Sequence, residues 1–297
     1  SHVRFMKTGS EATQAAYQIA KRATGRKYVM VGDWAYHGWH EWCTFSGNGF
    51  MSISGTAARL PHGADINDAS QNYGADAPPA AVFIEPHRWE PVNVTWLKHV
   101  REWCTRRGAL LVFDEMIYGG RWHIGGATAH FGVTPDLACF GKAIGNGAPI
   151  ACVVGRDALA EHGDLASGTY SGDTAALAAL IDTLSVYATQ PVVDTLWKRG
   201  YQLRRGLREV CEYWNAAHAS KVYNEGAAVH QRLRFVTDGG NDAMLGKLFA
   251  AAMAKRGVLW HPDVVNLCYS HTEAHIERVI EAALASIHEV DHAPATC

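Results

Sequence analysis

Short apolar runs recur through the first half of the chain, and most of them end at a polar or glycine-rich turn. Nearly free of charge and only a few residues long, they are typical of strands buried on both faces of a parallel sheet. Residues 3–6 alternate instead, as a strand with one buried face does. The predicted strands are 3–6, 28–31, 80–84, 109–113, 137–140 and 149–154.

Segments with apolar residues at helical spacing lie between these runs. Residues 11–24 place alanines and Ile19 on one face, and Gly25 provides a C-terminal stop. Residues 94–107 and 174–214 are also predicted to be helical, the second with a break near Pro191. Strands that alternate with helices favour an α/β fold with a mostly parallel central sheet flanked by helices. Residues 46–77 are polar and glycine-rich, and we predict an irregular loop there.

The pattern changes in the last third of the chain. Residues 229–236 are strand-like, 242–256 helical, 258–260 extended and 273–290 helical. This mixture predicts a smaller C-terminal α+β domain. We therefore divide the chain into a large domain, residues 1–195, and a small domain, residues 196–297.

Composition excludes several classes of protein. The net charge is −2 and no long run of either sign occurs, so nothing points to nucleic acid or to a membrane surface. No apolar stretch has spanning length, and no signal-peptide pattern is present. The seven cysteines are scattered without a Cys-x-x-Cys pair, which argues against a disulfide framework or a zinc site. A reducing, cytoplasmic location without a bound metal is expected.

Asp114 and Lys142 stand out chemically because each follows a predicted core strand. Open α/β sheets hold their ligands at the carboxyl ends of their strands. A lysine amine there can form an imine with an aldehyde cofactor, and a carboxylate facing a pyridine nitrogen would keep that nitrogen protonated. Taken singly, a solvated lysine and a structural aspartate are the commoner interpretations. Together they suggest a cofactor held between an acid and an amine.

Three further signals are modest. Gly9 and Ser10 precede a predicted helix, where backbone N–H groups bind phosphate, although Gly-Ser is also an ordinary helix cap. Tyr36 can stack on a flat ring or fill the core. Thr169 can donate its hydroxyl to a phosphate or simply occupy a turn.

The order of these motifs resembles that of the class III aminotransferases, which are pyridoxal-phosphate enzymes of fold type I. The resemblance covers most of the chain. It rests on Thr8-Gly9-Ser10-Glu11-Ala12, Tyr36-His37-Gly38, Glu85-Pro86, Asp114-Glu115 with Gly119, Pro135-Asp136-Leu137 with Gly141-Lys142, Thr169-Tyr170-Ser171-Gly172 and Ser270-His271-Thr272-Glu273.

The resemblance implies a role for each cofactor-binding residue. Lys142 would carry pyridoxal 5'-phosphate as an imine and move the proton between substrate and cofactor, while Asp114 would pair with the pyridinium nitrogen. Tyr36 would stack on the ring, and Gly9 and Ser10 would cradle the phosphate.

The resemblance also implies an assembly and an activity. Thr169 would reach the phosphate of the neighbouring subunit, because the family builds its sites across a homodimer interface. The implied reaction moves an amino group from an amine or amino acid to a keto acid or aldehyde, with ping-pong kinetics.

Two departures from the family pattern bear on the substrate. Ile117 stands where the acetylornithine, ornithine and 4-aminobutyrate branches usually carry glutamine, which is more similar to the glutamate-1-semialdehyde aminomutases or the ω-transaminases. Arg88 and Trp89 replace a small, glycine-containing continuation. They are weak candidates for substrate binding, since Arg88 can pair with a carboxylate but is as readily a surface residue.

The start of the chain is a third departure. Members of the family carry a long segment before the turn at Gly9 and Ser10, which supplies part of the small domain and of the substrate pocket. From this sequence we expect either a shortened chain or a naturally compact member with a more open site.

Three other activities share the same cofactor residues. A glutamate-1-semialdehyde 2,1-aminomutase moves an amino group within one molecule, and decarboxylation or racemisation is possible on the same scaffold. A non-catalytic remnant that binds cofactor or a partner is the alternative outside enzymes. Intact Lys142 and Asp114 argue against that remnant.

Overall fold

The computed structural model describes residues 1–33, 35–45, 51–71, 78–86, 92–262 and 264–292. The described residues form two compact units, one ending at Gln190 and the other beginning at Pro191.

A seven-stranded sheet forms the centre of the first unit. Its order is β1-β7-β6-β5-β4-β2-β3, and the strands from β6 to β3 are mutually parallel, whereas β7 runs antiparallel to both β6 and β1. All five residues of the central strand β5 are buried. The strands are β1 (His2–Met6), β2 (Val29–Gly32), β3 (Ala57–Leu60), β4 (Ala81–Ile84), β5 (Leu110–Asp114), β6 (Leu137–Phe140) and β7 (Ala151–Gly155).

Helices accompany this sheet, and the first of them has well-defined ends. Thr8 caps its N-terminus in a reciprocal capping box with Glu11, and Gly25 ends it in the left-handed conformation. Its small apolar side chains pack into the same core cluster as Val112 and Cys139. The helices are α1 (Gly9–Thr24), α2 (Ile66–Gln71), α3 (Val94–Arg107), α4 (Gly126–Phe131) and α5 (Thr174–Thr189).

The second unit combines a small antiparallel sheet with three helices. Strand β9 pairs with β8, β10 and β11. The elements are α6 (Val192–Ala217), β8 (Lys221–Ala227), β9 (His230–Thr237), β10 (Gly240–Asn241), α7 (Ala243–Lys255), β11 (Val265–Asn266) and α8 (Glu273–Asp291).

The prediction of an irregular loop over residues 46–77 is wrong, because β3 and α2 lie within it. Strand β3 contains Arg59, which breaks its apolar pattern, and its place is fixed by parallel pairing with β2. Helix α2 has only six residues, too few to show a helical period. Strand β8 was missed as well, since most of its residues are polar and its stability comes from pairing with β9.

Among the described residues, no single helix is long and apolar enough to cross a membrane. Helices α5 and α6 reach the required length and hydropathy only when they are counted together across their break.

Candidate active site

Asp114 and Lys142 lie at the same edge of the central sheet, on neighbouring strands. Asp114 is the last residue of β5 and pairs in register with Cys139 of β6. The next residue, Glu115, donates its N–H to the Cys139 carbonyl at 2.8 Å. Lys142 follows β6 after Gly141. Parallel pairing therefore brings the acid and the amine to the carboxyl edge that the sequence predicted.

The backbone of Lys142 is strained. Its φ is 48°, and Asn146 is the only other non-glycine residue with positive φ in the described part of the chain. A long side chain in this conformation costs free energy, so the surrounding structure must enforce it, as commonly occurs at functional sites. The Lys142 side chain is exposed. Lys142 is therefore accessible to a ligand.

The Asp114 carboxylate is held from two sides. It is 2% exposed. The Nδ1 atom of His37 lies 2.8 Å from Oδ2, and the Met116 N–H donates to Oδ1 at 3.1 Å. These contacts fix the carboxylate at the end of β5. His37 was part of a motif in the sequence, but its pairing with Asp114 was not foreseen.

The loop of Tyr36, His37 and Gly38 is fastened to the beginning of α1. The Thr13 hydroxyl donates to the His37 carbonyl at 2.6 Å, and His40 Nε2 lies 3.1 Å from the Ser10 carbonyl. A Cβ on Gly38 would stand 2.6 Å from Ser10 Oγ, so only glycine permits this approach. The helix start at Gly9 and Ser10 is thereby held next to the pair of His37 and Asp114.

The Met116 side chain packs between two segments of the site, and its role was not predicted from the sequence. Its Sδ atom fills the space beside two glycines: a Cβ would lie 2.9 Å from it at Gly9 and 2.6 Å from it at Gly141. Met116 is 7% exposed. The thioether thus lies between the start of α1 and the residue that precedes Lys142. The only signal in the sequence was its position two residues after Asp114.

Tyr36 and Thr169 are both exposed. Tyr36 is 63% exposed, and its N–H donates to Glu85 Oε2 at 3.5 Å. The Thr169 hydroxyl makes no hydrogen bond to any other described residue. Its loop is anchored to the end of β1 by the ion pair of Lys7 and Asp173. Arg88 and Trp89 lie outside the described residues.

Glu115 is a second buried acid, 1% exposed, next to Asp114. Its Oε2 accepts the Ala127 N–H at 2.8 Å. Burial raises the pKa of Glu115 to about 7, and the negative charge of Asp114 adds to that rise.

Comparison with known proteins decides the family. The sequence matches the family described as Aminotransferase class-III over residues 1–280. This chain belongs to the class-III aminotransferases. The predicted family and the predicted class of enzyme are thereby confirmed.

Relatives of this class-III aminotransferase include two kinds of enzyme. The chain is 31% identical to the aminopentol aminotransferase of Sphingopyxis macrogoltabida, over 94% of the chain and 67% of that protein. It is 32% identical to the glutamate-1-semialdehyde 2,1-aminomutase of Thermomicrobium roseum, over 97% of the chain and 74% of that protein.

Solved structures show the same fold. The FumI protein of Sphingopyxis sp. MTA144, described as the internal aldimine form with pyridoxal phosphate, superposes with a TM-score of 0.85 at 28% identity, over 98% of this chain and 71% of FumI. The β-phenylalanine aminotransferase of Variovorax paradoxus gives 0.79 at 26% identity, over 99% of this chain and 71% of that protein. The predicted fold type I and the predicted cofactor, pyridoxal phosphate, are confirmed.

The residues of this class-III aminotransferase suit pyridoxal phosphate. Asp114 offers a buried carboxylate for a ring nitrogen. Gly9 and Ser10 are the first residues of a 16-residue helix, whose N-terminal N–H groups and dipole favour a phosphate. Close packing at Gly9, Gly38 and Gly141 leaves no room for a Cβ. The donor set therefore matches an anionic phosphate, a pyridine nitrogen and an aldehyde.

Proposed function

We propose that this chain is an ω-transaminase-like enzyme that binds pyridoxal phosphate through Lys142, Asp114, Gly9, Ser10 and Tyr36. It moves an amino group, which need not be α to a carboxylate, from an amine or amino acid to a keto acid or aldehyde. Residues 1–195 serve as its cofactor-binding domain and residues 196–297 as its small domain. We place the enzyme in the cytoplasm.

One observation carries the proposal: the pairing of β5 with β6 puts a buried carboxylate and a strained, exposed lysine at one edge of the sheet. A structural ion pair would bury both partners together. Here Asp114 takes its hydrogen bonds from His37 and Met116 instead, which leaves the Lys142 amine available for chemistry.

The cofactor supplies an aldehyde that bonds to amines and a pyridinium ring that withdraws electrons. The Lys142 Nζ atom would hold the cofactor through its aldehyde and would be released by an incoming amine. Once free, Nζ would act as a general base that takes a proton from the substrate carbon bearing the nitrogen and later returns it.

Asp114 would keep the ring nitrogen protonated through its negative charge. His37 and the Met116 N–H hold that carboxylate in one orientation, so no reorganisation is needed during reaction. Gly9 and Ser10 would bind the phosphate through backbone N–H groups, and the Tyr36 ring would stack on the cofactor.

Transfer within a single molecule is the second candidate function. Its support is the 32% identity to a glutamate-1-semialdehyde 2,1-aminomutase, together with Ile117 in place of the branch-specific glutamine. Both functions use the same cofactor residues.

Dependence on a second substrate separates the two functions. We expect that an amine donor alone converts the bound cofactor to its amino form once and that turnover then stops until a keto acid or aldehyde is added. The measurement is cofactor absorbance during a screen of donors and acceptors. Sustained turnover of an amino-aldehyde without any acceptor would instead establish the aminomutase.

We further propose a homodimer in which Thr169 binds the phosphate held by the other subunit. Support comes from the exposed Thr169 hydroxyl, which makes no hydrogen bond to the rest of the described chain, and from the family's mode of assembly.

Mixed dimers test this arrangement. Thr169→Ala removes a hydrogen bond to a charged group, so we expect cofactor affinity to fall about tenfold. Assayed at limiting cofactor, a refolded mixture of Thr169→Ala and Lys142→Ala chains is expected to regain activity, because about a quarter of the sites in a statistical mixture are then intact. A mixture no more active than its Thr169→Ala component, or an active monomer in sedimentation, contradicts a shared site.

A further inference from the structure

Glu115 is bonded to three different segments around the site. Its N–H donates to Cys139 of β6, its carbonyl accepts the Gly119 N–H at 2.8 Å, and its side chain accepts the Ala127 N–H at the start of α4. It is also the middle residue of the turn in which the Met116 N–H donates to Asp114 Oδ1. Any rotation of Glu115 therefore moves one of the two donors that orient Asp114.

We propose that Glu115 is a positioning residue for the Asp114 carboxylate, and that it remains a neutral acid so that Asp114 keeps the charge. The proposal rests on the proposed function, in which Asp114 faces the ring nitrogen.

The backbone of α4 is shaped around the Glu115 carboxyl group. Gly126 has a φ of 64°, and a Cβ on it would stand 2.6 Å from Glu115 Oε1. Gly132, at the other end of the same short helix, has the same φ of 64° with nothing within 4 Å of its Cβ position. The close approach at residue 126 is thus specific to the Glu115 side chain and is not a general property of α4.

The two adjacent acids have unequal environments. Asp114 has His37 and the Met116 N–H as partners, whereas Glu115 Oε1 is buried without a hydrogen-bond partner among the described residues. Burial and the Asp114 charge raise the pKa of Glu115 to about 7. The other titratable groups that sense Glu115 are Tyr118 and Cys139, whose pKa values burial also raises, so both are neutral there. Below about pH 7 the Glu115 carboxyl group is therefore mostly protonated and neutral.

The side-chain variants Glu115→Gln and Glu115→Ala distinguish the effect of an uncharged side chain from the effect of the hydrogen bond to the Ala127 N–H. Glutamine keeps an acceptor for the Ala127 N–H without a charge, so kcat is expected to stay within about threefold of wild type. It should also remove an inflection near pH 7 from the pH dependence of cofactor absorbance. Alanine removes the anchor, so kcat is expected to fall about tenfold or more while the KM for the amine changes little. Equal losses of kcat in both variants would overturn the neutral-acid assignment.

Two glycine variants provide a matched pair that leaves Glu115 itself unchanged. Gly126→Ala pushes the carboxyl group out of place, so it should reproduce the kcat loss of Glu115→Ala and alter the absorbance inflection near pH 7. Gly132→Ala imposes the same backbone strain in open space, so it should lower only the melting temperature. Wild-type kcat and absorbance titration in both Gly126→Ala and Glu115→Ala would overturn the positioning role.

A measurement on the cofactor-free chain tests the protonation of Glu115 independently of cofactor binding and catalysis. Well below pH 4.5, the ordinary pKa of a glutamate, the Glu115 carboxyl is protonated in the folded and unfolded states alike. As the pH rises toward 7, the unfolded chain loses this proton while the folded chain retains it, so the free energy of unfolding falls. We expect the melting temperature of wild type to fall over this interval by several degrees more than that of Glu115→Gln. If the melting temperatures of wild type and Glu115→Gln changed equally with pH, Glu115 would not be a neutral acid in the folded chain. That conclusion would hold even if no cofactor bound.

Discussion

Replacement of Lys142 by alanine is expected to lower kcat by at least about four orders of magnitude, because one change removes both the covalent anchor of the cofactor and the general base. The fold should survive, since the Lys142 side chain is exposed. Alanine also keeps the Cβ, so the backbone strain at φ 48° stays roughly the same. The loss should therefore appear in turnover and not in thermal stability.

Lys142→Arg is the control for charge. Arginine retains a cation at this position but cannot act as a base at neutral pH, so its kcat should be as low as that of alanine. In wild type, borohydride reduction followed by peptide mapping should find the cofactor on Lys142. A small amine added to Lys142→Ala should restore part of the proton transfer. Cofactor attached to a different lysine, or an active Lys142→Ala enzyme, would refute the assignment.

Asp114→Asn is expected to retain the cofactor and to lower kcat by about a hundred- to a thousandfold. Asparagine can still accept the Met116 N–H, so the turn at the end of β5 persists. The charge that holds the ring nitrogen protonated is lost. Preorganised charges of this kind stabilise a transition state by several kcal/mol. The measurement is kcat together with cofactor absorbance and the stoichiometry of bound cofactor.

Asp136→Asn is the matched control for loss of a buried carboxylate. Asp136 immediately precedes β6, so it lies at the opposite edge of the sheet from Lys142. It pairs with Arg101 at 2.7 Å and with Arg156 at 3.1 Å. Breaking these bonds should destabilise the protein by about 3 kcal/mol while kcat changes little. Equal losses of kcat in Asp114→Asn and Asp136→Asn would mean that Asp114 stabilises the fold and has no direct role in catalysis.

The first unit was largely predictable because its strands are buried on both faces. Strands β5 and β6 are continuous apolar runs, and a parallel sheet at the centre of a domain requires such runs. Strand β3 and strand β8 were not predictable in this way. Arg59 interrupts the first, the second is mostly polar, and each is held by hydrogen bonds to a neighbouring strand.

The sequence by itself determined the family, the order of the motifs and the placement of an acid and an amine at the ends of two strands, because these depend on local pattern. Only the tertiary structure decided which neighbours control Asp114. His37 reaches it through a loop fastened to α1. Met116 and Glu115 are its neighbours in sequence, and their side chains are held by packing against Gly9 and Gly141 and by a hydrogen bond to α4. Such contacts arise from packing between segments distant in sequence, and no local period of apolar residues encodes them.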